Sequence, residues 1–142
     1  MDIIIDANIL FAIMIKKGVT EKILLANELH CYAPEYLFAE FKEHEKEIMK
    51  ITHRDRADFL RLIDILERRI ELIPIGEFKH SLKEAEALLT DKDDAAYLAV
   101  CLAKKMPLWS NDNHFKNQNK VIVFTTQDLI RHFEIGTLQQ QD

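Results

Sequence analysis

The residues of this chain most able to do chemistry are carboxylates placed at the ends of short apolar runs. Asp6 directly follows Ile3-Ile4-Ile5, and Asn8 stands two residues later. Asp112 closes the stretch Pro107-Leu108-Trp109-Ser110-Asn111. Asp91, Asp93 and Asp94 crowd the start of a segment that is apolar almost all round: Ala95, Ala96, Leu98, Ala99, Val100 and Leu102. One reading of that trio is helix capping, since an Asp at the N-cap or in the first turn offsets the helix dipole by roughly 0.3–1 kcal/mol. Three carboxylates within four residues repel one another, which is more than a cap requires, and bound cations would relieve the repulsion. Capping accounts for one of them; Asp94 is the strongest candidate for a site, with Asp91 and Asp93 open to either reading. Glu40 stands between Leu37 and Phe41 at the border of an apolar face. Taken alone it reads as an edge residue, and Glu43, Glu45 and Glu47 read as solvated surface.

Clustered carboxylates suit hard, oxygen-loving cations such as Mg²⁺ or Mn²⁺. Such a site can position a water, lower its pKa and stabilise charge on a phosphate group. The sequence contains no Gly-rich phosphate loop followed by Lys-Ser/Thr, so an NTPase is not indicated, and it contains no Gly-x-Ser-x-Gly elbow.

The elements that must position these acids alternate between short apolar runs and helical patterns. Ile3-Ile4-Ile5 lacks polar alternation, as expected of a parallel strand covered on both faces. Helices are expected over 8–16, with Gly18 as the stop, and over 20–26. A second strand is expected at 29–33. Pro34 then opens a helix, at the first-turn position that proline tolerates best, with Leu37, Phe41, His44 and Ile48 along one face. A further helix spans 54–69, a third strand 72–75, and a helix carries Phe78, Leu82, Ala85 and Leu89. The apolar helix covers 92–104 and should be buried. Strands at 107–110 and 121–124 and a helix at 127–133, ended by Gly136, complete the chain. Alternating strands and helices imply right-handed crossovers. The expected fold is a three-layer α/β/α domain around a mostly parallel, twisted, five-stranded sheet. Such sheets bind ligands beyond the carboxyl ends of their strands. Asp6 and Asp112 can meet there only if their strands are neighbours.

With 142 residues, 48% hydrophobic, the chain suits one domain over 1–142, with about 137–142 a frayed tail. No run of about 18 apolar residues is present to span a membrane, and the N-terminus does not resemble a signal peptide. A cytoplasmic protein is expected. Cys31 and Cys101 lie in apolar contexts and read as buried thiols. The net charge of −5 means that any hold on nucleic acid must be local and helped by metal.

Four stretches together resemble the PIN-domain family. Ile3-Ile4-Ile5-Asp6-Ala7-Asn8 is similar to its apolar strand followed by Asp-x-Asn/Thr. Residues 33–40, with Pro34, Leu37 and Glu40, resemble its Pro-x-x-Leu-x-x-Glu helix start. Asp91-Lys92-Asp93-Asp94-Ala95 with Leu98-Ala99 resembles the third acidic motif, and Leu108-Trp109-Ser110-Asn111-Asp112 the fourth. The resemblance implies that Asp6, Glu40, Asp94 and Asp112 form a catalytic quartet. It implies metal at Asp6, Asp94 and Asp112, with Asp91 as an accessory acid. Asn8 and Ser110 are implied to orient Asp6 and Asp112. It further implies an Mg²⁺- or Mn²⁺-dependent endoribonuclease acting on single-stranded or structured RNA, a homodimer, and an antitoxin partner if the chain is a toxin of VapC type rather than an RNA-processing nuclease. The chain departs from many toxin relatives, which carry an Arg beside the third acid and a basic surface.

Other residues carry less signal. His114 reads as a loop histidine near Asp112, and Phe115 as packing under that loop. Five of the six arginines fall between 54 and 69 among acids, which reads as a helix face with ion pairs or as a contact surface. Lys116 and Lys120 could guide a phosphate backbone. Competing readings are a phosphoacceptor domain, which would need a Lys at the end of the last strand where Thr125-Thr126 stand, a DNA-flap nuclease, and a catalytically inactive fold serving as a nucleic-acid-binding or protein-interaction module.

Overall fold

Three consecutive isoleucines without polar alternation need cover on both faces of their strand, and they have it. A computed structural model describes residues 1–15 and 18–133. The stop expected at Gly136 and the tail expected at 137–142 lie outside the described residues. The strands are β1 (Asp2–Ile5), β2 (His30–Pro34), β3 (Ile70–Ile73), β4 (Leu108–Trp109) and β5 (Val123–Phe124). They form one all-parallel five-stranded sheet of order β3-β2-β1-β4-β5. Ile3, Ile4 and Ile5 sit at its centre, fully buried.

The helices are α1 (Ala7–Ile15), α2 (Val19–Leu24), α3 (Leu37–Glu43), α4 (Glu45–Thr52), α5 (Arg56–Arg69), α6 (Leu82–Leu88), α7 (Ala95–Lys104) and α8 (Thr126–Phe133). They flank the sheet to give the three-layer α/β/α fold. The chain builds the sheet outward on one side, β1 to β3, then crosses β1 to add β4 and β5 on the other. The crevice between the ends of β1 and β4 is therefore the point where the winding reverses, the place where open sheets of this kind bind ligands. Buried alanines make α7 thin, and all of Ala95–Cys101 is buried where the helix packs on β1, β2 and β4. Cys31 and Cys101 are free and buried. Burial pushes the Cys31 thiol up to about 12.

Several local expectations are corrected. Pro34 does not open a helix; it ends β2, opposite Ile73, and α3 starts at Leu37. His30 N–H bonds to Met1 on the β1 side and Glu35 N–H to Ile73 on the β3 side. Alternation thus turns the missing N–H of Pro34 toward β1, whose pairing with β2 ends at Ile4↔Tyr32, so the proline breaks nothing. His44 does not share the apolar face. The helix stops at Glu43 and restarts at Glu45, and this junction leaves His44 exposed. The third strand starts two residues early, at Ile70, which is also the extended C-cap of α5. It ends before Pro74, which cannot donate to a ladder. The Phe78–Leu89 pattern is a helix only over Leu82–Leu88, after 3-10 turns at Ile75–Glu77 and Lys79–Ser81. The first turn of the apolar helix, Lys92–Asp94, is 3-10 as well.

One polar network ties β4 to α8. Trp109 Nε1 donates to Thr126 Oγ1 at 3.1 Å, Asn111 Nδ2 donates to the same oxygen at 3.0 Å, and Thr126 N–H donates to Asn111 Oδ1 at 2.8 Å. Trp109 is fully buried. Thr126→Val keeps the side chain's shape but strands the buried Trp109 donor, and should lower the unfolding free energy by about 1–3 kcal/mol in a urea titration. A change under about 0.5 kcal/mol, the range of a neutral surface substitution, would show that the network does not hold these elements together.

Candidate active site

Asp6 is the first residue beyond β1, and its N–H donates to the Trp109 carbonyl at 3.1 Å. Because Ile5 stands opposite Trp109, the next residues, Asp6 and Ser110, emerge side by side. Ser110 is completely buried, and its Oγ donates to Asp6 Oδ2 at 2.8 Å. The same Oγ accepts the Asp112 N–H at 3.0 Å. One hydroxyl therefore links the two strand-end aspartates. The backbone N–H of Asn8 faces Asp6 Oδ1 at 3.4 Å, while the Asn8 side chain is exposed. Asp112 is half-buried; its Oδ1 accepts the His114 N–H at 2.9 Å and lies 3.3 Å from His114 Nδ1. Phe115 is buried under this loop.

Asp6 is only 2% exposed. Burial raises its pKa, the bonds from Ser110 and the Asn8 N–H oppose that rise, and the neighbouring Asp112 charge adds to it.

Asp94 occupies the N-cap position of α7 without a side-chain capping hydrogen bond, so the capping reading does not account for it. Asp91 is exposed, and its carbonyl accepts the Asp94 N–H at 3.4 Å. The side chain of Asp93 lies outside the described residues. Glu40 is exposed on α3. Glu40, Asp6 and Asp94 all act electrostatically on one group, the phenol of Tyr97. Tyr97 is 4% exposed, and its hydroxyl has no hydrogen-bond partner among the described residues. Sequence reasoning missed it because it sits in a helix that reads as apolar. The available signal was its spacing, three residues after Asp94 and so on the same helical face.

Two groups of the quartet, Asp6 and Asp112, are thus joined through Ser110, and the charges of Glu40, Asp6 and Asp94 all bear on the Tyr97 phenol. Among the described residues no three or more His, Cys, Asp or Glu side chains are gathered closely enough to hold a metal ion. Carboxylates without a cation between them repel, so a looser arrangement is what the charges favour. Beside Glu40 runs an apolar groove of about 290 Å³ lined by Ala7, Phe11, Phe41, His44 and Ile48. A cavity of about 390 Å³ at the amino ends of β2 and β3 contains none of the four acids.

The arginines of 54–69 are largely engaged in ion pairs: Arg54 with Asp58 at 2.8 Å, Arg68 with Asp64 at 3.0 Å and Arg56 with Glu45 at 3.2 Å. Lys116 lies 4.0 Å from Asp128. Gln118 ties the loop down by donating to the Phe115 and Val121 carbonyls at 2.7 and 3.0 Å.

A family model described as "PIN domain" matches residues 4–129. Comparison with curated proteins gave no match. Among solved structures, the chain is similar to the crystal structure of VapBC2 from Rickettsia felis bound to a DNA fragment from its promoter. The TM-score is 0.64 at 19% identity, over 88% of this chain and 98% of that one. At that identity the likeness concerns the fold.

The Asp6 environment predicts a pH dependence. Its folded pKa lies above the unfolded one, so its contribution to stability is fully present below the unfolded pKa and is lost as pH rises through the folded pKa. Metal-free Asp6→Asn should therefore be at least as stable as the parent near pH ~7 and should lose that part of the parent's pH slope. Urea unfolding of both proteins between pH ~4 and ~7 checks this; a variant destabilised at neutral pH contradicts it.

Proposed function

The chain belongs to the PIN-domain family, and on that premise we propose that it is a metal-dependent endoribonuclease hydrolysing phosphodiester bonds at the crevice between β1 and β4. The observation that carries this reading is the Asp6–Ser110–Asp112 unit at the point where the sheet's winding reverses.

The donor set fits Mg²⁺ or Mn²⁺: carboxylate oxygens only, one of them already oriented by a buried hydroxyl. Asp6, Asp94 and Asp112 would hold the ion, with Asp91 at the rim and Glu40 orienting its hydration shell. When bound, the ion supplies a water of lowered pKa and compensates charge on the phosphate. Ser110 fixes the Asp6 carboxylate, and through its bond from the Asp112 N–H it fixes the start of the Asp112 loop as well. The apolar groove beside Glu40 offers the part-exposed ring of Phe11, a surface suited to an unstacked base of a single strand. A net charge of −5 gives no general attraction for a polyanion, so binding must rest on such local contacts and on the cation.

The fold relative is a VapBC2 assembly, which supports reading this chain as the toxin member of a pair held by an antitoxin; an RNA-processing nuclease is the other form of the same chemistry. Ile51, Leu60 and Ile65 are exposed on α4 and α5, which favours a homodimer through these helices. Among the described residues no helix is long and apolar enough to cross a membrane, and a cytoplasmic site of action suits an RNA substrate.

Two measurements test this reading. In a Mn²⁺-dependent digest of a mixed RNA panel, with chelator as the blank, Asp6→Asn should cleave at least about 100-fold more slowly than the parent, whereas Glu43→Gln, on the exposed part of α3, should be unchanged. Equal cleavage by Asp6→Asn would place the activity elsewhere, and a parent that cuts no RNA with either metal would favour a binding module. Sedimentation should show a species of about twice the 16.6 kDa chain mass; a monomer at high micromolar concentration would exclude the dimer.

A further inference from the structure

Burying a hydroxyl without a partner is costly, and most such groups in folded proteins are satisfied. Tyr97 is an exception: its ring is packed within α7, 4% exposed, and its hydroxyl meets no acceptor or donor among the described residues. A phenylalanine would fill the same space without leaving a polar atom stranded. The hydroxyl also stands at a specific place. Tyr97 is one turn beyond Asp94, on the helix that packs across β1, β2 and β4, and the charges of Glu40, Asp6 and Asp94 all bear on its phenol.

We propose that Tyr97 is a positioning residue of the acid site, whose neutral hydroxyl donates a hydrogen bond to the Glu40 carboxylate when a divalent cation draws the acids together. The inference rests on the metal-dependent reading given above. Asp6 already receives Ser110 Oγ on one oxygen and the Asn8 N–H on the other. Glu40 has the longer side chain and lies exposed on a seven-residue helix. Of the surrounding acids, Glu40 acts most strongly on the phenol; burial together with these charges raises the phenol's pKa, which keeps it a donor. Residues that orient a metal's ligands, bound water among them, are part of its affinity, and loss of one such outer partner typically costs about 10–100-fold in metal affinity or activity. Ser110 orients Asp6 in the geometry, and Tyr97 would steady Glu40 where it orients the ion's hydration shell.

The test compares the full chain with Tyr97→Phe. Without metal, the variant should unfold at the same urea concentration as the parent or a higher one, because the hydroxyl it loses has no partner there. In calorimetric titration with MnCl₂ alone, its affinity should fall at least about 10-fold, and RNA cleavage should recover as Mn²⁺ is raised. A second measurement needs no variant: addition of MgCl₂ to the parent should bring out a slowly exchanging tyrosine hydroxyl proton resonance, which chelator removes. If the parent binds Mn²⁺ and Tyr97→Phe binds it equally well, Tyr97 only fills the core and the proposal is overturned while the nuclease reading stands. A metal-free variant less stable than the parent, or no hydroxyl resonance at saturating Mg²⁺, overturns it too. If the parent itself binds no Mn²⁺, the metal-dependent reading fails and this inference fails with it.

Discussion

The pairing of β1 with β4, with Ile5 opposite Trp109, decides what the rest of the site can be. Side chains alternate along a strand, so a slip of one residue would turn Asp6 or Ser110 to the opposite face and separate them. Held in this register, Ser110 reaches Asp6 while its own oxygen collects the Asp112 N–H. The register depends in turn on β4 staying seated between β1 and β5. β4 and β5 have two residues each, too short to hold by ladder bonds alone. The buried Trp109 ring and its bond to Thr126 at the start of α8 supply the missing constraint.

The site works against the stability of the fold around it. A buried carboxylate with a second one nearby is a poor arrangement for an empty protein, and the raised pKa of Asp6 is its signature. Ser110 and the Asn8 N–H offset part of that cost, and hydrophobic burial of β1 and α7 offsets more. The surrounding surface does not help: the chain is acidic overall, and many of the cations on the described surface are engaged with acids of their own, as at Arg54–Asp58 and Arg68–Asp64. On the proposed reading, a divalent cation would offset the repulsion between Asp6 and Asp112 at the crevice.

The central layer was readable from the sequence because burial on both faces leaves an unmistakable composition. Ile3-Ile4-Ile5 and the helix after Asp94 could be little else, and the acids at their ends followed from where ligands bind in such sheets. The boundaries were less legible where one residue serves two elements. Ile70 completes the apolar stripe of α5 and also begins β3, so periodicity could not divide them. The break at His44 depends on how α3 and α4 turn over the core, which residue spacing does not encode. Glu40 stood out only through the family resemblance, since an acid beside an apolar face has no distinguishing pattern of its own. Tyr97 was hidden for a different reason: its importance lies in a bond it does not make, and only three-dimensional packing reveals a missing partner.

The small side chains of α7 connect these observations. Ala95, Ala96 and Ala99 let the helix lie close on β1, β2 and β4, which brings its first turn, and with it Asp94, up to the ends of the strands. A bulkier helix would lift Asp94 and the Tyr97 hydroxyl away from Asp6. The crevice is therefore bounded by the buried Asp6–Ser110–Asp112 unit. On the proposed reading, Glu40, exposed on short α3, and Asp91, exposed before the 3-10 turn, would supply its outer acids. In the proposed arrangement the buried unit would set the geometry, and cation affinity would depend on how readily the exposed acids are drawn toward it. Residues that ease that movement by accepting or donating a hydrogen bond at its end point are then as much part of the site as the carboxylates themselves.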